Sequence, residues 1–178
     1  MSTLLQGNRT RRVACNAVFI ALAMMLSYLE FLLPLQAMLP LPGFRLGLAN
    51  LAITVAFCLL SPLDAALISL IRVALTSLLF GSVTSFYFSL LGALFSYLTL
   101  FLLSKIGRRC SFLGVSVLCA MAHNGGQLLA AVTLFGSSLL FSYLPMLLLA
   151  SVLYGGIVGV LLNLCMPKLQ KAVGGWLL

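Results

Sequence analysis

Six side chains able to grip a small polar ligand sit inside otherwise apolar runs: Glu30, Asn50, Arg72, His123, Asn124 and Gln127. A guanidinium in the middle of such a run suits an anionic or carbonyl group, because its planar donor fork pairs with a carboxylate or phosphate. His123, Asn124 and Gln127 supply hydrogen bonds, and His123 and Gln127, at i and i+4, share one face of a helix. Glu30 suits a cationic or donor group. Ionisable side chains in a membrane segment are costly and by default mark function or a specific pairing. The same residues also admit a structural reading, with Arg72 and Glu30 as an ion pair and His123 and Asn124 as ties between helices.

What must position these groups is a bundle of membrane helices. Of the 178 residues, 63% are hydrophobic and 7% charged, and the mean hydropathy is +1.23. A soluble domain carries about a quarter charged residues, so this chain cannot cover a water-facing surface. The composition predicts an all-α integral membrane protein with no room for a separate soluble domain. Spans of about 20 apolar residues fall at 13–33, 47–61, 62–80, 86–104, 112–135 and 138–166, a six-helix bundle. The first run is longer than the roughly 7–15 residues of a signal peptide core and reads as a retained helix. The second and third meet at Ser61 and Pro62, a proline suited to a first turn. The second is short, which fits a tilted or interfacial helix, and Pro145 is expected to kink the sixth.

Basic residues set the orientation. Arg9, Arg11 and Arg12 precede the first span, Lys105, Arg108 and Arg109 follow the fourth, and Lys168 and Lys171 follow the sixth. Six spans put all of them on one side, against Arg45 on the other. Both termini are therefore expected in the cytoplasm, with residues 1–12 a basic lead, 13–166 the membrane domain and 167–178 a tail. The net charge of +8 then reads as a topology and lipid-headgroup signal, with no nucleic-acid partner. Cys15, Cys58, Cys110, Cys119 and Cys165 fall toward the reducing side, where disulfides are rare, and no cysteine–histidine metal spacing exists. In this topology the six polar residues lie between mid-membrane and the outer face, which suggests a cavity opening outward.

The first loop is the other unusual segment. PLQAMLPLPGFRLGLAN, residues 34–50, has three prolines yet stays apolar. It is expected to fold back as a non-helical lid over the outer mouth, with Pro42, Gly43 and Phe44 in the lid and Arg45 facing either the cavity or lipid headgroups. Non-helical backbone at such depth is tolerated only when buried in protein or lining a cavity. Two small-xxx-small pairs, Ala17 with Ala21 and Gly155 with Gly159, allow close helix approach, either inside the chain or to a partner.

The blocks PLPGFRLGLAN, FYFSLLGALFSYL and SFLGVSVLCAMAHNGGQLLAA resemble the bacterial Gx transporter family, also labelled heptaprenyl diphosphate synthase component I, over roughly residues 12–166. Pro42, Gly43, Arg45, Leu46, Gly47, Leu48, Ala49 and Asn50 match one block, and His123, Asn124 and Gln127 the other. Arg45 stands where the family more often has lysine. That family is similar in architecture to the substrate-binding S components of energy-coupling factor transporters. The resemblance implies six helices, an outward site capped by the first loop, and docking to a transmembrane coupling protein with ATPases through Ala17 and Ala21.

The prenyl-synthase label meets a chemical obstacle. Prenyl transfer needs clustered aspartates to hold Mg²⁺, and this chain has two acids in all, Glu30 and Asp64. It also lacks a phosphate-binding glycine loop. The sequence therefore predicts a binding and transport subunit for an anionic or vitamin-like small molecule in the bacterial cytoplasmic membrane, without cofactor, metal or catalysis of its own. The alternative is a membrane accessory of isoprenoid or quinone metabolism, or of membrane electron transfer, that presents a prenyl lipid to a separate enzyme.

Overall fold

A computed structural model describes residues 9–32, 47–106 and 111–173. All the regular structure among them is helical: α1 (Arg9–Leu32), α2 (Ala49–Leu59), α3 (Pro62–Phe80), α4 (Val83–Ile106), α5 (Phe112–Phe135), a 3₁₀ helix (Ser138–Tyr143) and α6 (Leu144–Val173). Five helical segments are long and apolar enough to cross a membrane, and α2 is the shorter sixth. The chain is a multi-pass membrane protein.

Local chemistry starts and stops these helices where the sequence permits. Ser61 caps α3 by accepting the Asp64 N–H, with Pro62 in the first turn. Ser111 caps α5 in the same way through the Gly114 N–H, and α5 ends on Gly136 at φ 63°, the left-handed C-terminal stop that glycine allows. Two expectations are corrected here. Pro145 occupies the first turn of α6, where its missing N–H breaks no helical bond; the expected span is divided just before it, into a 3₁₀ helix and α6. The last helix also continues through Pro167 to Val173, past the boundary expected at 166.

The second helix is the larger departure. It is enclosed by the other helices. Nine of its eleven residues are buried, and it contacts α1, α3, α4, α5 and α6. At about 1.5 Å per residue, eleven residues cover about half of a ~30 Å hydrocarbon core. A helix apolar on all sides is a core helix as readily as a lipid-facing one. Here it is the plug around which the others stand.

Around it, α4, α5 and α6 form the tightest packing. Small residues permit this: a methyl built on Gly126 would lie 2.6 Å from the Leu91 carbonyl oxygen, and one on Gly155 or Gly159 would lie 2.7 Å from Val117 Cα or Leu113 Cα. Close approach through small residues is the main source of helix association where lipid already satisfies apolar surface. The Gly155 and Gly159 pair is therefore spent inside the chain. Ala17 and Ala21, with the same spacing, stay exposed on α1.

Pairings such as Gly159 with Leu113 and Tyr97 with Pro62 fix the alternation of helix directions. Arg12, Asp64, Lys105 and Lys168 thus share one end of the bundle, called the basic end below. An apolar cluster of Ile53, Phe57, Leu60, Ile68, Leu100, Val115 and Cys119 fills the interior toward that end. Leu67, Leu70, Leu149, Leu153, Ile157 and Leu164 are exposed, as a lipid-facing rim requires.

Candidate functional site

Glu30, Asn50 and His123 meet around Gly47. Gly47 precedes α2 with φ 83°, a conformation that favours glycine. Its N–H donates to Glu30 Oε1 at 2.7 Å. A methyl on Gly47 would stand 2.8 Å from the Asn50 side-chain nitrogen and 3.1 Å from His123 Cδ2. The imidazole is pressed from the other side by Gly92 of α4, where a methyl would come within 2.8 Å of Cε1. Gln127 Nε2 lies 3.1 Å from His123 Nε2, the i, i+4 pairing that the sequence indicated. Two glycines thus form a slot for one imidazole, and α1, α4, α5 and the segment leading into α2 all contribute.

Arg72 joins from α3. It is 2% exposed, and its Nη1 donates to Ser27 Oγ at 3.5 Å. Ser27 is one turn before Glu30 on the buried side of α1, so the guanidinium reaches the same helix face that carries the carboxylate. Glu30, His123 and Gln127 are each at most 4% exposed. Burying a charge costs several kcal/mol unless pairing and hydrogen bonds offset it.

His123 lies eleven residues from the start of α5 and twelve from its end, so the cluster is about 17 Å from either end of that helix. Asn50, expected nearer the outer face, begins the buried α2 at a comparable depth. It is half-buried.

Asn124 is turned elsewhere. Its Nδ2 donates to Ser151 Oγ at 2.7 Å and to the Leu147 carbonyl at 3.3 Å. Ser151 in turn donates to the same carbonyl at 2.7 Å. This side chain ties α5 to α6, and only its Oδ1 is left buried without a partner.

Sequence reasoning missed the hydroxyls. Thr54, Thr76, Thr99, Thr133 and Ser151 each donate to the carbonyl four residues back, the usual way a helix hydroxyl is satisfied in lipid. Ser77 Oγ and Ser89 Oγ are buried with no hydrogen-bond partner. Ser89 is one turn from Gly92, on the face of α4 that meets His123. Single serines in apolar runs gave no signal.

A cleft adjoins the cluster. Gly47, Asn50 and Thr54 face Ser116, Cys119 and Ala120 of α5 and Tyr154, Gly155 and Val158 of α6 across it. A separate polar group holds the basic end. Asp64, 1% exposed, accepts from Arg12 Nε at 2.9 and 3.0 Å, from Asn16 Nδ2 at 3.0 Å and from Ser61 Oγ at 2.7 Å. Pro42, Gly43, Phe44 and Arg45 lie outside the described residues. Among the described residues, no three His, Cys, Asp or Glu side chains gather as a metal site, and Cys15, Cys58, Cys119 and Cys165 are free thiols.

Fold and site together define a class: a helical membrane protein with a buried, mixed-charge polar cluster at mid-depth. The chain belongs to the heptaprenyl diphosphate synthase component I family, whose signature matches residues 19–165. No curated protein and no solved structure matched.

Proposed function

We propose that this protein is a membrane-embedded binding subunit that captures a small anionic molecule from the extracellular side and passes it inward with the help of a partner. The observation that carries this reading is the meeting of Glu30, Asn50 and His123 at Gly47, with Gln127 bonded to His123 and Arg72 reaching Ser27 one turn from Glu30, deep in a bundle with an apolar rim. Ser89, one turn from Gly92, adds a buried hydroxyl with spare bonding capacity. Arg72 holds the anionic group, Glu30 a donor, and His123 and Gln127 fix orientation. Asn50 and the segment with Pro42, Gly43, Phe44 and Arg45 close the approach. The excess of Lys and Arg at the basic end supports a cytoplasmic location for that end and both termini, in a bacterial cytoplasmic membrane.

The chain carries no phosphate-binding glycine loop, so energy comes from an ATPase module. The exposed Ala17 and Ala21 on α1 offer the coupling protein a close-packing face, as in S components. With two acids that lie in different clusters, the protein does no prenyl transfer itself.

The family's name favours a second reading, in which the protein is the non-catalytic component of a prenyl diphosphate synthase and holds a prenyl lipid for a separate enzyme. Purification in mild detergent followed by mass spectrometry of the bound ligand separates the two. A water-soluble anion supports capture and transport, and a prenyl lipid supports the accessory role. Arg72→Leu removes the central cation and is expected to abolish ligand retention, by more than about 100-fold (~2.7 kcal/mol), in a protein that still elutes as a folded monodisperse species. Full retention in that variant would remove the anion site from the reading.

A further inference from the structure

The cleft between α2, α5 and α6 runs from the cluster toward the basic end. Ser116, Cys119, Ala120 and His123 stand at i, i+3, i+4 and i+7 on the buried face of α5, and the first three line the cleft. Ser116 is therefore about 10 Å from His123 along the helix. Gly47, Asn50 and Thr54 face them. Small residues leave the room. A methyl on Gly155 would lie 2.7 Å from Val117 Cα and 3.0 Å from Ala120 Cβ, so the α6 wall is backbone where a larger side chain would fill the space. Further toward the basic end, Val55, Cys58 and Leu59 of α2 close on Val158, Leu162 and Met166 of α6.

Its polar groups have bonds to spare. Among the described residues, no hydrogen bond engages the buried Ser116 hydroxyl or the Asn50 carboxamide. Thr54 Oγ1 donates to the Asn50 carbonyl at 2.8 Å and keeps its lone pairs. Asn50 thus offers two N–H groups and an oxygen, Ser116 an O–H and an oxygen, and Thr54 an oxygen. At membrane depth bulk water does not satisfy such groups. None of the residues lining the cleft is acidic, so a cation finds no counter-charge there. The room is about 10 Å³, the size for one water molecule. Water both donates and accepts, and α2 and α5 together supply the roughly two to four polar partners that a buried water needs.

We infer that the cleft is a binding site for one internal water molecule, held by Asn50, Thr54 and Ser116. The water links α2 to α5 next to the cluster. The Asn50 backbone N–H donates to the Gly47 carbonyl at 2.9 Å. A water that holds the Asn50 side chain therefore also steadies the turn at Gly47, whose N–H reaches Glu30 and which stands against His123. The inference does not depend on what the cluster binds.

The test is pulsed X-ray radiolysis of the full chain in phosphatidylcholine nanodiscs. The pulse makes hydroxyl radicals from water where it stands, and ascorbate in the bulk solution quenches those formed there. Two matched pairs report on the cleft. Cys119 and Val158 line it, whereas Cys58 and Val73 do not, and all four are at most 7% exposed. Peptide mass spectrometry should find oxygen added to Cys119 and Val158 several-fold more than to Cys58 and Val73. Ser116→Val removes one hydrogen bond and puts a methyl in the room, and should cut that excess about tenfold while Cys58 and Val73 stay as they were. Wild-type Cys119 and Val158 oxidised no more than Cys58 and Val73 would overturn the inference, whether or not the variant folds. So would an excess that persists unchanged in a folded Ser116→Val.

Discussion

The chain's two acidic side chains anchor two regions built on opposite plans. Asp64 sits in the first turn of α3 at the basic end and collects Arg12, Asn16 and Ser61, all from helix starts or the turn beside it. Glu30 sits at mid-depth and collects a backbone N–H from the non-helical entry to α2, beside a histidine from α5 and near an arginine from α3. The first region is a clasp that joins α1 to α3 at the membrane edge. The second draws on four parts of the chain, and its pieces face one another across Gly47. Both bury an acid almost completely, so burial alone does not separate a structural pair from a candidate site. What separates them is how many elements converge: Asp64 gathers side chains of α1 and its own cap residue, whereas the Glu30 region brings together α1, α4, α5 and the entry to α2.

That comparison breaks most sharply at Asp64. Removing one partner of a buried, hydrogen-bonded charge pair costs up to about 3–5 kcal/mol, and the exposure of Arg12, 46% for its side chain, brings this down through solvent screening. Asp64→Ala is expected to lower stability by about 2–3 kcal/mol, read from denaturation in detergent micelles. Ligand retention per folded molecule should stay at the wild-type level. Retention that fell in step with Arg72→Leu would show that clasp and cluster are one unit. Gly92→Ala sharpens the other half. Its methyl would sit 2.8 Å from His123 Cε1 and 2.9 Å from Nδ1, so the imidazole must leave its slot. Ligand affinity should fall about tenfold, ~1.4 kcal/mol, in titrations on the purified protein, with a stability loss of only about 1 kcal/mol.

The sequence carried the helices because their signal is simple: an apolar run of membrane length bounded by Ser-Pro, Gly or a basic cluster. It could not carry the place of α2. A helix apolar all round has no face to read, and lipid and protein interior select the same residues. The two small-xxx-small pairs make the same point. Ala17 with Ala21 and Gly155 with Gly159 read alike, yet one pair is exposed and the other is packed against α5. Glu30, Arg72, His123 and Gln127 stood out as candidates, since polar residues are rare in this chain. Their common contact, Gly47, was matched only as part of a motif, because its role depends on a contact 76 positions along the chain. Ser77 and Ser89 were silent, since a lone serine normally bonds its own helix.

The finest division lies between two adjacent residues. His123 and Asn124 are about 100° apart around α5, and that rotation sends one into the cluster and the other into α6. Asn124 reaches Ser151 at 2.7 Å, and Ser151 passes the bond to the Leu147 carbonyl. This is a tie of the kind that membrane helices use, worth about 0.6 kcal/mol on average and up to about 1.7. A double-mutant cycle of Asn124→Ala and Ser151→Ala should therefore give a coupling of about 1 kcal/mol in unfolding. Asn124→Ala alone should leave ligand affinity within about twofold, ~0.4 kcal/mol. The same cycle run on ligand binding should show no coupling. A large binding coupling with little effect on unfolding would move Asn124 from the α5–α6 tie into the ligand site, and its partnerless Oδ1 would then be the atom through which it acts.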